Sequence, residues 1–201
     1  GTDDGTYKFT QRESGKLLEF RHALSKITVN LKAGTDFPDD PSSEDPEVHK
    51  FEGTPEVKLT SNEANASTNT EWACLTGTVN ITTGTVPSQG GNAAVTMNPT
   101  TPTTGWTKSY EALVMPGSEF TADNAIIVRI NADGNIYYVS AEKIRDAINT
   151  AGLKTGDQYL TLSGKNYVLN ITVNKTQINV TASVLDWVEV EAAEVAPKIN
   201  I

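Results

Sequence analysis

The chain has 201 residues, a formal net charge of −9 and a single cysteine, Cys74. Hydrophobic residues make up 37%, enough for a core, but no apolar run is long enough to span a membrane as a helix. The acidic balance argues against nucleic acid as a partner, because phosphate binding needs clustered lysines and arginines. One cysteine excludes an internal disulfide.

The N-terminal half of the chain alternates between strand patterns and polar segments. Residues 1–16 are polar and predict a flexible lead. Apolar alternation in 17–31 predicts a first strand, and the change of parity around His22–Lys26 indicates a bulge or a bend. Residues 34–47 carry six acids and three prolines, which predicts a solvated loop. Further strands are predicted at 56–60, 74–82, 93–98 and 109–115, with turn-rich stretches between them.

The C-terminal half contains the two clearest hairpin patterns. Within 125–139, the pair Asp133-Gly134 favours a two-residue type I′ turn, because glycine accepts a positive φ. Residues 167–187 alternate on both sides of a polar break at 174–177. Because successive side chains of a strand point to opposite faces, this stretch predicts a strand pair with one apolar and one polar face.

One helix is predicted between these hairpins, near 141–151. Ser140 can cap its start and Gly152 can end it. Apolar residues recur at helical spacing at Ile144, Ala147, Ile148 and Ala151.

A hairpin with one apolar face needs a second layer to bury that face. The chain is therefore predicted to be an all-β sandwich with one short helix. Its predicted core consists of Leu18, Phe20, Ile27, Val29, Leu113, Ile127, Tyr137, Leu169, Ile171, Val180 and Trp187.

Four segments occur in an order that is similar to a known family. They are LEFRHALSKITVNL within 17–31, YEALVMPGSEF at 110–120, IIVRINADGNIYYV at 126–139 and GKNYVLNITVNKTQINVTASVLDWVEVE at 164–191. Together they resemble the fimbrillin-like proteins of Bacteroidetes, the subunits and anchors of surface pili. The resemblance implies a transthyretin-like Greek-key β-sandwich. It assigns 17–191 to the sandwich domain, as one unit or as two small subdomains with a boundary near 120.

The resemblance also implies a function and a location. It predicts a structural or adhesive subunit of a cell-surface pilus that assembles through strand exchange with other pilus subunits. The alternative is a surface-exposed lipoprotein module of the same fold that binds carbohydrate or protein, with a host glycan or protein as the partner. Either protein would be exported to the cell surface and attached to the outer membrane or fimbrium. The targeting segment and lipid anchor would lie outside this chain.

Two further expectations concern the ends of the chain. Pilins of this family are trimmed by an arginine-specific protease, which makes Arg12, in the polar lead, a candidate processing point.

Residues 192–201 form a tail in which apolar residues share one parity, and this tail is a candidate donor strand. The apolar residues are Val195, Pro197, Ile199 and Ile201. Such a segment can pair with a neighbour's sheet edge, lie as an ordinary edge strand in its own molecule or form a frayed end.

The sequence offers little catalytic or metal-binding chemistry. The two histidines, His22 and His49, are not accompanied by ligands at short spacing, and Cys74 precedes an apolar segment typical of a buried thiol. No enzyme activity and no cofactor or metal are therefore expected.

Two polar regions leave alternatives open. The acidic residues within 36–47 could supply oxygen ligands to calcium or form a solvated charge run. Trp72 and Trp106 lie in polar neighbourhoods, where they could stack on sugar rings or fold over the rim of the sandwich.

Overall fold

The fold is known from a computed structural model. It describes residues 22–45, 47–59, 76–78, 80, 88–90, 94–116, 126–150 and 161–186. These residues form eleven strands and one helix. In chain order they are β1 (Ser25–Ala33), β2 (Glu56–Leu59), β3 (Thr76–Thr78), β4 (Ser88–Gly90), β5 (Val95–Thr96), β6 (Asn98–Thr100), β7 (Lys108–Val114), β8 (Ile126–Ala132), β9 (Asn135–Ser140), α1 (Ala141–Thr150), β10 (Lys165–Val173) and β11 (Ile178–Asp186).

The larger sheet has five strands in the order β11-β10-β1-β7-β6. Its central strand, β1, runs parallel to β10 and antiparallel to β7. The predicted strand pair at the C-terminal end is confirmed as the antiparallel pair β10–β11. It is closed by a hydrogen bond of 2.9 Å in which the Asn174 N–H donates to the Gln177 carbonyl.

The second sheet has four strands in the order β5-β2-β8-β9, and β3–β4 forms a separate two-stranded sheet. The predicted type I′ turn is confirmed between β8 and β9, where φ is 49° at Asp133 and 77° at Gly134. The Asp133 carboxylate also accepts hydrogen bonds from the backbone N–H groups of Glu52 (2.9 Å) and Gly53 (2.8 Å). The turn therefore anchors the segment that leads into β2.

Residues from both large sheets form one hydrophobic cluster, so the predicted all-β fold with two sheets is confirmed. The transthyretin-like Greek-key topology stays a prediction. Most of the predicted core residues within the described chain are buried, and Val180 is partly buried against the cluster. The buried ones are Ile27, Val29, Ile127, Tyr137, Leu169 and Ile171. The other three predicted positions, Leu18, Phe20 and Trp187, lie outside the described residues.

The assignment of Leu113 to the core is wrong, because this side chain is 50% exposed. In β7 the buried side chains are Tyr110, Ala112 and Val114, which share the opposite parity. Ala112 pairs with Ile27 and Tyr110 pairs with Val29. The side chains at these alternate positions of β7 therefore lie on the inner face of the sheet. Leu113 consequently points outward.

The helix prediction is confirmed from its first residue, Ala141, to Thr150. The Ser140 hydroxyl accepts a hydrogen bond of 3.4 Å from the backbone N–H of Lys143, which is the geometry of an N-cap. Ile144 and Ile148 are buried among residues of the larger sheet, including Leu169. The helix therefore packs on the inner face of the larger sheet beside β11, next to β9.

Several predicted boundaries need correction. Within the described chain, the strand predicted in 17–31 begins only at Ser25. The chain bends at Leu24, just before β1, so of the two predicted alternatives the bend is found and the bulge is not. Two stretches predicted as turns contain the short strands β4 and β6. Pro99 is tolerated in β6 because this strand lies at the edge of its sheet.

Candidate functional site

The outer strand β11 lies at one edge of the larger sheet. In the part of the chain that the structure describes, only β10 pairs with β11. Directly opposed residues of an antiparallel pair alternate between hydrogen-bonded and non-hydrogen-bonded pairs. Asn174 and Gln177 form a hydrogen-bonded pair, so Ile178, Val180 and Ala182 direct their backbone N–H and C=O groups away from β10. These groups form a ready template for a further strand.

The side chains along this edge differ between the two faces. Ile178 and Ala182 are buried in the core, and Val180 is partly buried against it. Asn179 and Thr181 are exposed on the other face. A strand that pairs with this edge would therefore need apolar residues on one parity and polar residues on the other.

A groove of about 420 Å³ separates this edge from the helix. We call it the β11 groove; it is lined by residues 178–182 and by Lys143, Asp146, Ala147 and Thr150 of α1. The Lys143 ammonium donates a hydrogen bond of 3.4 Å to the Ile178 carbonyl. One end of the edge is thus covered by a lysine from the helix.

The groove has the chemistry of a peptide-binding surface. It offers backbone hydrogen-bonding groups, small apolar side chains and one charge of each sign at the helix. The described groups with a shifted pKa do not line it. Burial raises the pKa of Tyr110, Tyr137 and Tyr167, and two hydrogen bonds from Ser42 lower the pKa of Asp40.

The sequence alone did not predict this groove. Helical spacing identified Ile144, Ala147 and Ile148 as a buried face of the helix, but it could not indicate the strand on which that face packs. The available signal was the alternation of 178–184 next to a polar break, which predicted the strand without its position in the sheet.

Trp106 is the one predicted site residue that lies within the described chain. It is half-buried, and the Lys32 ammonium lies 5.3 Å from the centroid of its ring, within the range of a cation–π contact. Arg12, Trp72 and the four tail residues Val195, Pro197, Ile199 and Ile201 lie outside the described residues.

The acidic loop is partly packed against the sandwich. Phe37 is buried, with its ring centroid 5.2 Å from that of Phe51 in an edge-to-face arrangement. His49 Nδ1 lies 3.2 Å from Asp39 Oδ1.

Across the described ranges, no group of three or more His, Cys, Asp or Glu side chains is arranged to hold a metal ion. Nor does any helix in these ranges have the length and apolarity needed to cross a membrane.

Within the described residues, the chain is a two-sheet β-sandwich whose edge strand β11 adjoins a groove. The profile of the fimbrillin-like family matches residues 6–187, so the chain belongs to the fimbrillin-like family. This membership confirms the resemblance of the four sequence segments.

Several solved structures are similar to this chain at low sequence identity, and the first of them shares its fold. A candidate cell adhesion protein from Bacteroides uniformis is 18% identical with a TM-score of 0.50, and the match covers 84% of this chain and 52% of that one. A second candidate cell adhesion protein, from Bacteroides ovatus, is 16% identical with a TM-score of 0.47 over 84% of this chain and 46% of that one. The tip fimbrial protein Mfa3 from Porphyromonas gingivalis is 13% identical with a TM-score of 0.38 over 83% of this chain and 52% of that one. The chain thus spans about half the length of these structures, and no curated protein sequence matches it significantly.

Proposed function

We propose that this chain is a structural or adhesive subunit of a bacterial cell-surface pilus and that it assembles through strand exchange between subunits. Membership of the fimbrillin-like family supports the pilus role. The Bacteroides uniformis structure, which shares the fold, is described as a candidate cell adhesion protein. The observation that supports strand exchange is the edge of β11, which among the described strands pairs with β10 alone and which adjoins an open groove.

An exposed sheet edge favours pairing with another strand, because its N–H and C=O groups lack backbone partners. A protein that remains monomeric usually blocks such an edge with charge, proline or a covering element. Among the described residues, Lys143 covers one end of the β11 edge through its hydrogen bond to the carbonyl of Ile178, the first residue of the strand. The remainder of the edge is suited to receiving a donor strand.

The proposed donor is the tail 192–201, with Val195, Pro197, Ile199 and Ile201 on its apolar face. We expect that deleting 192–201 leaves a folded monomer but abolishes assembly, because the connecting strand is lost. Size-exclusion chromatography with light scattering measures assembly, and circular dichroism verifies the fold.

Two double variants of the tail, which change residues on its opposite faces, provide the control for this deletion. Aspartates at Ile199 and Ile201 should prevent assembly, whereas aspartates at Lys198 and Asn200 should permit it, because only the first pair would carry charge into the apolar groove. Normal assembly of the truncated chain would show that the tail is not the connector.

We also propose that Arg12, in the polar lead, is a processing point. We expect mature protein from its native cells to begin at Glu13. Arg12→Lys keeps the positive charge but should abolish cleavage by an arginine-specific protease. N-terminal sequencing of both proteins measures this, and mature native protein that retains residues 1–12 would contradict the assignment.

In this role the chain would lie on the outer surface of the cell, attached through a lipid anchor. Residues 17–191 act as the sandwich domain. The alternative is a carbohydrate- or protein-binding module, which exposed aromatic residues would favour. Trp106 is half-buried beside Lys32, so the described residues supply no specific observation in its favour.

A further inference from the structure

We propose that β9 pairs antiparallel with β9 of a second copy, so that the second sheets of two chains form one continuous sheet with four strands from each copy. This dimer uses neither the tail nor the β11 groove. Its support comes from the composition of the β9 edge, from the positions of Ile136 and Tyr138 on that edge, and from the charges in line with them.

β9 is the outermost strand of the second sheet, where among the described strands it pairs with β8 alone. Sheet edges that remain unpaired in solution are commonly blocked by charged residues or proline. The sequence of β9, NIYYVS, contains neither. Ile136 is 44% exposed and Tyr138 is 38% exposed, and they are two of the three exposed large apolar side chains among the described residues. The composition of this edge therefore favours pairing with another strand.

The β8–β9 turn fixes which backbone groups of β9 face outward. The residues that flank a two-residue turn, here Ala132 and Asn135, form a hydrogen-bonded pair, and the pairs along the ladder then alternate. Ile136 and Tyr138 consequently lie in non-hydrogen-bonded pairs with β8, so their N–H and C=O groups point away from it. An added strand would meet the backbone groups and the exposed apolar side chains of the same two residues.

A second β9 strand matches this edge in one antiparallel register. When Ile136 lies opposite Tyr138 of the second copy, the two-fold axis passes between the two Tyr137 residues. Each Ile136–Tyr138 pair then exchanges backbone hydrogen bonds in both directions. On the exposed face, each pair sets a β-branched residue against an aromatic ring, a combination that stabilises antiparallel strands. Other registers place Ile136 or Tyr138 opposite itself and leave the other residue beside the turn or Ser140.

The charges on the exposed face of the second sheet favour the same register. Tyr138 is in line with Arg129 of β8 and Lys58 of β2, whereas the row that contains Ile136 ends at Glu56. Within one copy Lys58 Nζ lies 3.3 Å from Glu56 Oε1, so Arg129 decides the sign of its row. Pairing Ile136 with Tyr138 joins this basic row to the row of Glu56 in the second copy. Pairing Tyr138 with itself would instead align two basic rows.

A second copy is also the occupant that the overall charge permits at this edge. The chain carries a formal net charge of −9, which opposes the approach of two copies over most of their surface. β9 is uncharged and adjoins Arg129, so the repulsion is weakest where this strand faces its own copy. Self-complementary pairing about a two-fold axis is the commonest form of homodimer.

The first test measures the mass of the full-length chain with Ile199→Asp/Ile201→Asp, the background that blocks the proposed strand exchange by the tail. The pairing segment is short, because β9 begins at Asn135 and α1 begins at Ala141. We therefore expect a monomer of 21.6 kDa in a concentration-dependent equilibrium with a dimer. Analytical ultracentrifugation measures this equilibrium. A chain that remains monomeric up to its highest soluble concentration would overturn the proposal.

The second test places like charges opposite each other across the dimer. In the same background, Ile136→Glu/Tyr138→Glu should weaken dimerisation by about tenfold or more, because each glutamate would face another glutamate. Leu113→Glu is the control, since it makes the same kind of change at an exposed residue of the larger sheet and should leave dimerisation intact. Circular dichroism verifies that the variants fold. Equal dimerisation by the two variants would show that the interface is not at β9.

The third test determines whether β9 pairs with itself. Ile136→Lys/Tyr138→Lys should also be monomeric alone, but mixing it with Ile136→Glu/Tyr138→Glu should restore a dimer, because every lysine then faces a glutamate. A different partner at this edge, such as a glycan or another protein, would give no such restoration. Two folded variants that do not associate when mixed would therefore contradict the pairing of β9 with β9.

The register is read from disulfide crosslinks in a Cys74→Ser background. We expect Ile136→Cys and Tyr138→Cys to crosslink with each other when mixed, more efficiently than either variant crosslinks with itself. Preferential crosslinking of one variant with itself would overturn the proposed register.

The dimer and the proposed pilus function fail independently. With the native tail present, Ile136→Glu/Tyr138→Glu should still assemble through strand exchange. Loss of the β9 dimer alone would leave the pilus function standing, and normal assembly after deletion of 192–201 would refute exchange by the tail without affecting the β9 dimer.

Discussion

Replacing Leu31 with alanine should lower the free energy of unfolding by about 2–5 kcal/mol. Leu31 is 0% exposed on β1, the central strand of the larger sheet, and it lies opposite Ile171 of β10. Truncation removes buried methyl groups and leaves a cavity. The cavity cannot collapse, because strands on both sides of β1 hold the surrounding side chains in place. Urea unfolding monitored by circular dichroism measures the loss.

Leu113→Ala provides the control for this experiment, because it makes the same chemical change on the neighbouring strand β7. Leu113 is 50% exposed, so its truncation should alter the free energy of unfolding by no more than about 0.5 kcal/mol. Equal losses in the two variants would mean that the faces of β7 are assigned incorrectly.

The second large effect is expected at Asn30, a polar residue that is only 3% exposed on the outer face of β1. Its Nδ2 donates to Asn170 Oδ1 at 2.8 Å, and its Oδ1 accepts from the Ser109 hydroxyl. Asn30→Ala would leave a buried hydroxyl and an amide oxygen without their partner. We expect it to lower the free energy of unfolding by about 2–4 kcal/mol.

The matched control is Asn179→Ala, since this asparagine is exposed on the outer strand β11 and its loss should be near neutral. The double variant Asn30→Ala/Asn170→Ala tests the network directly. Because the two residues share a hydrogen bond, their effects should be less than additive in urea unfolding. Full additivity would show that the asparagines contribute independently.

Short-range sequence signals were enough to predict the secondary-structure elements in the C-terminal half of the chain. The β8–β9 turn follows from Asp133-Gly134, since few residue pairs accept two consecutive positive φ angles. The helix follows from the Ser140 cap and its apolar spacing, and β10–β11 follows from alternation around a polar break. Each of these signals acts within a few residues, so it can be read from the chain without knowledge of its neighbours.

Leu113 marks the point at which local pattern becomes insufficient. It lies between Ala112 and Val114, so apolar residues occupy both parities of β7. The burial of one parity depends on the register with β1, through pairs such as Ala112 with Ile27. A shift of one residue would reverse the two faces, and the strand's own sequence does not exclude that shift.

The candidate site depends wholly on tertiary structure. The sequence predicted β11 and α1 as separate elements, with apolar faces that needed partners. The position of β11 at the edge results from the parallel pairing of β10 with β1, two strands that are far apart in the chain. The groove exists because α1 packs beside that edge. Amphipathic periodicity requires that a face be buried, but shape complementarity across the whole core decides which surface covers it.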